Sequence, residues 1–355
     1  MLILDTTLRE GEQAASISLD VEQKLSLAQM LSDFGVNFIE ISPIVSDEQF
    51  HVTKELNAAG LKPSIVSHLR AKKEDIDVAL KCDSQWVALF LSSSAIQMET
   101  KLQITPDVAI KRARETISYA KDHGLKVRFT CEDSSRTDIE FLKEICKAAE
   151  EARVDRISLP DTVGGMIPSR MKNLVQEIGS AVSTPLDVHC HNDLGLALAN
   201  SLAAYEAGAT CVHTTINGVG ERAGIVRLAE LVVAAEVCYN LKLPVKREML
   251  TKLSRVFSTY TNTTTDPFMP LVGVNAFRHK GGTHLSAVLK NEKTYELISP
   301  ESVGNRRTFV LGEYSGKGIM KYLADNLGME LNEEQLAREL RKIKQKKGDL
   351  VEFGQ

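Results

Sequence analysis

The sequence predicts an α/β protein built as a (β/α)8 TIM barrel, followed by a helical C-terminal extension. Three observations lead to this prediction. Short apolar runs rich in β-branched residues recur eight times in the first two thirds of the 355 residues. Segments with helical periodicity separate these runs, which are too apolar for a sheet with one face in solvent, so parallel strands covered by helices are indicated. Eight such units in roughly 250 residues is the usual size of this barrel.

The predicted strands follow one another at regular intervals. They cover residues 2–7, 38–43, 64–69, 86–92, 126–132, 156–162, 186–191 and 210–217. The clearest helical segments run from Val21 to Phe34, from Asp107 to His123 and from Leu196 to Ala207, and a glycine follows each of them. Glycine at this place is typical of a helix C-terminus. A doubly wound open sheet of the Rossmann type is disfavoured, because no Gly-x-Gly-x-x-Gly pattern follows the first strand.

Polar residues gather at the C-terminal ends of the predicted strands. In a barrel those ends meet at one mouth, where active sites are built. A purely structural barrel has no reason to concentrate histidine, glutamate, arginine and threonine there, so the pattern predicts a catalytic site. The residues are Arg9, Glu10, Ser42, His68, Glu132, Asp161, Thr162, His189, His191 and Asn217.

The catalytic barrel is expected to occupy residues 1–262, and a lid with a helical subdomain residues 263–355. A glycine pair lies within the segment His279–His284 (HKGGTH). Helices are predicted at about 315–328 and 332–346, where Glu and Lys are interspersed. We interpret this part as an appended lid or dimerisation segment rather than as a second catalytic domain.

Composition and charge argue against several classes of function. The net charge of −4 disfavours a general nucleic-acid-binding protein, which needs a concentrated basic surface. No apolar stretch is long enough to span a membrane, and the N-terminus lacks the basic region of a signal peptide. The six cysteines form no Cys-x-x-Cys pair. This favours reduced thiols in a cytoplasmic protein over a disulfide framework or a zinc knuckle.

The run Leu186–Asp193 (LDVHCHND) predicts a metal centre. Residues two apart on a strand point the same way, so His189 and His191 share a side and Cys190 is turned to the opposite face. A His-x-His pair alone is a weak signal. It gains weight from Glu10 at the end of the first strand, because imidazole ligands are commonly joined by a hard anionic ligand.

Four motifs together resemble the DRE-TIM metallolyases, and specifically the Claisen-condensing branch that contains isopropylmalate, citramalate and homocitrate synthases. Asp5–Gln13 (DTTLREGEQ) is similar to the opening signature of the family, and His189–Gly195 (HCHNDLG) to its metal-binding strand. Asn217–Gly224 (NGVGERAG) resembles the glycine-rich turn after the eighth strand, and His279–His284 resembles the lid motif. The likeness extends from Met1 to about residue 327.

Within that branch the resemblance favours the homocitrate synthases, in particular the short archaeal type. Glu10 follows the arginine where isopropylmalate synthases usually carry aspartate. Residues 127–138 and 294–296 are similar to homocitrate synthase segments. Residues 188–195 and 200–204 resemble isopropylmalate synthases equally well, so isopropylmalate or citramalate synthase remains the alternative.

The charged residues of the predicted pocket also help to predict the acceptor, which is the 2-oxo acid that condenses with acetyl-CoA. A 2-oxo acid with a distal carboxylate needs cationic donors, which His68 and Arg128 are expected to supply. An enzyme for an apolar acceptor is expected to leave Arg128 desolvated and unpaired, at a cost in free energy. Two further hypotheses remain: an aldolase or lyase that uses the metal without acetyl-CoA, and a barrel retained as a binding protein.

The resemblance implies a reaction in which acetyl-CoA, as co-substrate, condenses with 2-oxoglutarate and water to give homocitrate and CoA, the first step of aminoadipate-route lysine biosynthesis. A divalent metal, Zn²⁺, Mn²⁺ or Mg²⁺, would be held by Glu10, His189 and His191 and would chelate the oxo acid. Arg9 would bind the substrate and stabilise the alkoxide that develops at the former carbonyl. Thr162 would donate its hydroxyl to the 1-carboxylate.

Glu132 and His284 are the expected acid–base pair. The resemblance implies that His284 reaches the site from the partner subunit of a homodimer. Structural alternatives remain open: Arg9 forming an ion pair at the barrel bottom, Glu132 capping the next helix, and His68 acting as a hydrogen-bonded core histidine. His213 is interpreted as structural.

Overall fold

The computed structural model describes residues 1–345 and 351–354, and eight parallel strands close into a barrel in its first two thirds. Strands pair in chain order, and the first closes on the eighth. The predicted fold class is confirmed. The strands are β1 (Leu2–Asp5), β2 (Phe38–Ile41), β3 (Ser64–Arg70), β4 (Trp86–Ser92), β5 (Lys126–Glu132), β6 (Arg156–Asp161), β7 (Leu186–Cys190) and β8 (Cys211–Thr214).

Helices alternate with the strands. The helices of this part are α1 (Val21–Phe34), α2 (Asp47–Ala58), α3 (Lys73–Lys81), α4 (Ala95–Gln97), α5 (Pro106–Asp122), α6 (Ile139–Glu151), α7 (Pro168–Ala181), α8 (Ala197–Glu206) and α9 (Leu228–Tyr239). A hydrophobic core lies between the sheet and helices α3 and α5 to α9. The three helices predicted most clearly, α1, α5 and α8, match the prediction to within one residue at each end.

Local chemistry explains where α1 begins and ends. The Asp20 carboxylate accepts a hydrogen bond from the backbone N–H of Gln23 at 2.8 Å, and the Gln23 side chain accepts one from the Asp20 N–H at 3.0 Å. This reciprocal capping satisfies two N–H groups that the helix cannot pair. Gly35 ends the helix with φ 111°, a conformation that side chains with a Cβ rarely adopt.

β1, β2 and β8 end two or three residues earlier than the sequence suggested. After β1 the chain turns, because the Thr6 carbonyl accepts hydrogen bonds from the N–H groups of Arg9, Glu10 and Gly11. After β8 a short 3-10 turn contains Asn217 with φ 59°. The expected strand extensions were therefore wrong. Arg9 and Glu10 follow β1 on a turn over the barrel mouth.

The barrel interior changes character along its axis. Apolar side chains fill the N-terminal end; they are Leu2, Leu4, Phe38, Val66, Trp86, Ala88 and Cys211. Buried charged side chains occupy the middle; they are Glu40, Arg128, Arg156 and Asp187. The interior is therefore packed rather than hollow, as in other barrels of this class, and the charged layer forms the floor beneath the mouth.

The described chain divides into two compact units. The first contains Met1–Lys246 and Val256–Thr263, and the second Arg247–Arg255 and the residues from Thr264 onward. We retain the functional boundary after residue 262 as a proposal. The remaining elements are α10 (Leu250–Tyr260), β9 (Arg278–His279), α11 (Gly282–Val288), β10 (Thr308–Leu311), α12 (Lys317–Asn326), α13 (Glu333–Gln345) and β11 (Val351–Gly354).

The second unit has its own small sheet and core. β10 pairs in parallel with β9 and antiparallel with β11. Leu285, Phe309 and Ile319 are fully buried in its hydrophobic cluster. α12 and α13 correspond to the two predicted helices; residue 346, the end of the second prediction, lies outside the described residues.

Two further features concern the chain as a whole. Within residues 1–345 and 351–354, no helix combines the length and the apolar character needed to cross a membrane. All six cysteines are free thiols, and five of them are buried.

Candidate active site and metal centre

A cavity of about 330 Å³ opens at the C-terminal ends of the barrel strands. The structure brings together there all eight barrel residues that the sequence assigned to the site, which are Arg9, Glu10, His68, Arg128, Glu132, Thr162, His189 and His191. Two other strand-end residues make structural hydrogen bonds instead. Ser42 donates to the His68 carbonyl at 2.8 Å, and Asp161 accepts from the N–H of Met166 at 2.9 Å.

Glu10, His189 and His191 form a buried cluster. One potential ligand atom from each lies within 4.8 Å of the other two. The Nε2 atoms of the two histidines are 3.3 Å apart, and Glu10 Oε1 is 3.9 Å from His191 Nε2. Imidazole nitrogens bind Zn²⁺ at about 2.0–2.1 Å, so two of them on one ion lie roughly 3 Å apart. The donor set and its spacing fit a divalent metal ion.

The electrostatics of the cluster also suit a metal. Burial, together with His191 and Arg9 nearby, holds the pKa of His189 well below its ordinary value, and burial lowers the pKa of His191. Both rings are therefore neutral, the form that binds metals. Burial raises the pKa of the Cys190 thiol to about 12, so this side chain stays protonated and packs in the core.

A network of buried charges lies beneath the metal cluster. Glu40 accepts hydrogen bonds from Arg9 Nε at 2.7 Å, from the Thr6 hydroxyl at 2.9 Å and from Arg128 Nη2. Arg9 also pairs with Glu10. Burial alone would raise the pKa of Glu40, but the guanidiniums of Arg128 and Arg9 outweigh it and hold this pKa well below the usual range. Glu40 is therefore a carboxylate shared by two cations.

This network corrects one expectation. We expected Arg128 to stay unpaired unless a substrate carboxylate reached it, and this was wrong, because Glu40 already neutralises it. Arg128 Nη1 also lies 3.3 Å from His213 Nε2, which is itself 3.4 Å from Asp187 Oδ2. The charge of Arg128 alone therefore does not identify the acceptor.

Unpartnered polar atoms line one side of the cavity. Within the part of the chain that the structure describes, the hydroxyls of Thr130 and Ser158 and the Nε of Arg128 are buried without a hydrogen-bond partner. Thr130 and Ser158 are directly paired residues on β5 and β6. His68 lines the same cavity, with its ring stacked on Phe90 at 4.7 Å. Because buried polar groups are normally hydrogen-bonded, a polar ligand group in this part of the cavity would satisfy these atoms.

Glu132 is held by two donors. Lys101 Nζ lies 2.7 Å from both carboxylate oxygens, and the Ser92 hydroxyl donates to one of them at 2.6 Å. The carboxylate does not cap the following turn, which starts from Asp133 with φ 66°. The Thr162 hydroxyl accepts a hydrogen bond from the N–H of Asp133 at 3.0 Å, which fixes its orientation.

The lid motif belongs to the second unit. There the His284 ring stacks on Tyr295 at 4.0 Å. His279 Nε2 lies 3.0 Å from Glu296, which also pairs with Arg307 at 2.7 Å. The two histidines thus differ: His279 is tied into a buried ion cluster, whereas His284 makes a ring contact.

Sequence reasoning missed several residues of the cavity. Glu40 could have been identified from the sequence, because an acidic residue inside the buried run Phe38–Ile41 must be paired. The sequence did not point to Lys101, because a lysine in a loop is ordinarily solvated. Arg222 lies within the motif Asn217–Gly224, which gave it no separate role. Lys101 lies in a π-helical turn over Met98–Leu102, a rare element frequently found at functional sites.

Two family models match this chain. Residues 1–257 match the model of a family described as HMGL-like. Residues 271–349 match a second model, described as homocitrate synthase post-HMGL domain-like. The two matches together cover most of the chain.

The curated relatives carry names for different acceptors. A "Probable 2-isopropylmalate synthase" of Methanopyrus kandleri is 44% identical over 97% of this chain and 69% of its own length. A "Homocitrate synthase" of Pyrococcus abyssi is 44% identical over 92% and 91%. An Archaeoglobus fulgidus protein named as the (R)-citramalate synthase CimA is 41% identical over 97% and 71%.

The fold has counterparts among solved structures. The HMG-CoA lyase of Bacillus subtilis superimposes with a TM-score of 0.67 over 74% of this chain and 94% of its own, at 19% identity. At that identity the likeness concerns the barrel fold alone.

Proposed function

The chain belongs to the HMGL-like family, and from that premise we propose that it is a homocitrate synthase. The proposed reaction joins the acetyl group of acetyl-CoA to the 2-oxo carbon of 2-oxoglutarate and then hydrolyses the thioester to give homocitrate and CoA. This is the first step of lysine biosynthesis through aminoadipate. Relatives with nearly equal identity are named for different acceptors, so the choice of acceptor rests on the cavity.

The row of buried polar atoms on the cavity wall carries this choice. Thr130, Ser158 and Arg128 present two hydroxyls and an N–H that have no partner among the described residues. Leaving such a group unpaired costs about 1–3 kcal/mol, so a ligand that accepts hydrogen bonds there is favoured over an isopropyl or methyl group. The distal carboxylate of 2-oxoglutarate supplies two acceptor oxygens, and His68 lines the same cavity.

Glu10, His189 and His191 would hold the divalent ion. When bound, the ion supplies Lewis acidity towards the 2-oxo group and the adjacent carboxylate of the acceptor. Two neutral imidazoles favour Zn²⁺ or Mn²⁺, whereas a carboxylate ligand also suits Mg²⁺.

Arg9 and Thr162 would orient the acceptor. Glu40 and Glu10 outweigh the effect of burial and raise the pKa of Arg9, so its guanidinium is a permanent cation with a fixed direction. Such a preorganised donor stabilises negative charge on the former 2-oxo oxygen without rearrangement during the reaction. Because the Thr162 hydroxyl oxygen already accepts from Asp133, its hydrogen is free to be donated to the 1-carboxylate.

Glu132 and His284 would move the protons. Lys101 and Ser92 hold the Glu132 carboxylate at the cavity wall. In the homodimer that we propose, His284 of the lid is contributed by the partner subunit and pairs with Glu132 to remove the α-proton of the acetyl thioester. A positioned base of this kind contributes about 10²–10⁴-fold to the rate.

Isopropylmalate or citramalate synthase is the second candidate, and one observation favours it. Because Glu40 already pairs with Arg128, an apolar acceptor would leave no uncompensated cation in the cavity. The metal cluster, Arg9 and Thr162 would serve the same chemistry on 2-oxoisovalerate or pyruvate.

The deciding experiment measures CoA release from acetyl-CoA by metal-reconstituted protein with 2-oxoglutarate, 2-oxoisovalerate and pyruvate side by side. The proposal expects kcat/KM to be highest with 2-oxoglutarate. Preference for either of the other acids would replace homocitrate synthase by the second candidate. No thiol release with any of them would instead favour a lyase that does not use acetyl-CoA.

Substitution of Thr130 and Ser158 tests whether their hydroxyls determine which 2-oxo acid the protein prefers. Thr130→Val and Ser158→Ala should each lower kcat/KM for 2-oxoglutarate about tenfold, which corresponds to roughly 1.4 kcal/mol, with a smaller effect on 2-oxoisovalerate. Thr53→Val is the control, because its buried hydroxyl bonds within α2. Equal losses with both acids would contradict the assignment of this wall to the distal carboxylate.

A further inference from the structure

An ion pair at the rim of the cavity has no role in the proposed chemistry. Arg222 Nε lies 2.8 Å from Asp193 Oδ1, and Nη2 lies 2.9 Å from Asp193 Oδ2. Arg222 Nη2 also donates to the Thr162 carbonyl at 2.8 Å. One guanidinium therefore joins the three loops that follow β6, β7 and β8. Two parallel hydrogen bonds to one carboxylate also fix direction, which a single contact does not.

The backbone around Arg222 is unusual. Arg222 has φ 56°, a left-handed conformation that residues other than glycine rarely adopt. The turn is tight, because a Cβ on Gly224 would overlap the carbonyl oxygen of Gly218. Strained residues of this kind persist where the surrounding contacts hold them, and they concentrate at functional sites.

This turn lies directly against the metal cluster. The N–H of Glu221, next to Arg222, donates to Glu10 Oε1 at 2.9 Å. A Cβ on Gly220 would lie 3.0 Å from the Glu10 carboxylate. On the other side, Ile225 forms a backbone bridge with His191. The turn thus contacts one carboxylate and one histidine of the cluster.

We propose that Arg222 and Asp193 form a clasp that positions Glu10 and His191 for metal binding. The clasp holds the turn of residues 218–224 against the loop that follows His191, and the Glu221 N–H then orients the Glu10 carboxylate. Arg222 is a positioning residue, since it touches neither the metal nor the reacting atoms. The inference rests on the proposed function only in requiring that Glu10, His189 and His191 bind a divalent ion.

Exposure decides what the clasp contributes. The side chain of Arg222 is 41% exposed and that of Asp193 25% exposed. Ion pairs this exposed add little to folding stability. The clasp should therefore change metal affinity while leaving the unfolding midpoint nearly unchanged.

The charge and the shape of Arg222 should have opposite effects on metal affinity, so substitutions can separate the two effects. The positive charge repels a bound cation, so its removal alone would tighten metal binding. The planar fork fixes the turn, so its loss would weaken binding. Arg222→Lys keeps the charge and loses the fork, whereas Arg222→Gln loses both.

The test uses the full chain, freed of metal by a chelator and titrated with Co²⁺ alone. The visible absorption of Co²⁺ reports both occupancy and ligand geometry, and no substrate is needed. Arg222→Lys and Asp193→Asn should each weaken Co²⁺ binding and change the absorption spectrum. Loss of a group that orients a metal ligand typically costs roughly 10- to 100-fold in affinity, and we expect a loss near the lower end of that range. The double variant Arg222→Gln/Asp193→Asn should lose little more than the Asp193 variant.

Arg114→Gln is the matched control, because Arg114 forms an exposed ion pair with Glu151 between α5 and α6. It should bind Co²⁺ as the unchanged protein does. If Arg222→Lys binds Co²⁺ as the unchanged protein does and Arg222→Gln binds it more tightly, Arg222 affects the metal only through its positive charge. That result would overturn the clasp. Failure of the unchanged protein to bind Co²⁺ would overturn the metal centre of the proposed function as well, so the two failures are distinguishable.

Discussion

Glu40 organises the cavity floor through contacts that no local pattern could identify. Its two cationic partners, Arg9 and Arg128, lie 31 and 88 residues away along the chain. The apolar run around Glu40 shows that the carboxylate is buried and must be paired, but it does not show with which residue. Strand-end motifs predicted Arg9 and Glu10, whereas the neutralisation of Arg128 required the closed barrel.

Asp5 provides a pH-dependent prediction at the same scale. Its side chain is fully buried, one oxygen accepts from the Thr7 N–H at 2.9 Å, and the other has no partner among the described residues. Burial raises the pKa of Asp5 to about 7. The unfolded chain loses this proton near pH 4, so between about pH 4 and pH 7 the folded state holds the extra proton. The free energy of unfolding should therefore fall with rising pH, by about 1.4 kcal/mol per unit.

Asp5→Asn removes this titration. Measured by urea unfolding at pH 5, 6 and 7, the unchanged protein should lose stability relative to the Asn variant as the pH rises. Asp122→Asn, at an exposed position on α5, is the control for changing a carboxylate to an amide. Parallel pH profiles for the unchanged protein and Asp5→Asn would contradict the assignment of a buried, protonated Asp5.

At the scale of elements, two helix ends allow the conformational cost of replacing a glycine to be separated from the steric cost. Gly35 after α1 and Gly208 after α8 have nearly the same φ, 111° and 110°. An added Cβ meets open space at Gly208 but lies 2.6 Å from the Pro244 carbonyl oxygen at Gly35. Both alanine variants should lose about 1–2 kcal/mol for the left-handed conformation, and Gly35→Ala about 1–3 kcal/mol more for the clash.

Thermal or urea unfolding of the two variants checks this difference. Gly208→Ala serves as the matched control, because it carries the conformational cost without the steric one. Equal losses in the two proteins would mean that the Pro244 segment moves away freely.

The elements themselves were predictable where apolar periodicity extends over a whole segment. α1, α5 and α8 agree with the prediction to within one residue, because capping residues and glycines mark their ends. Strand ends were less predictable. Thr6 and Thr7 continue the β-favouring composition of β1, yet the Thr6 carbonyl turns the chain by accepting three backbone hydrogen bonds. A strand pattern in composition does not reveal such a turn.

At the scale of the molecule, barrel closure creates the site. Glu10 follows β1 and His189 and His191 lie at the end of β7, and only the closed order β7–β8–β1 brings them within 4.8 Å. The sequence predicted this meeting from the number of strands and from their polar ends, since strand ends converge in a barrel. The motif Asn217–Gly224 indicated a turn after β8, but it did not indicate the contact of that turn with Glu10, which lies 211 residues away along the chain.

Barrel closure also predicts that metal binding and folding are linked. A divalent ion held by Glu10, His189 and His191 binds the folded chain, whereas the unfolded chain holds these ligands far apart. At a free ion concentration one hundred times Kd, the folded state should gain about 2.7 kcal/mol. For a domain of roughly 250 residues this raises Tm by about 5–10 °C.

A chelator should reverse the shift in Tm, and His191→Ala should abolish it. His51→Ala, which removes an exposed histidine of α2, should retain it. An equal rise in Tm for His191→Ala would show that the ion stabilises the protein at another place.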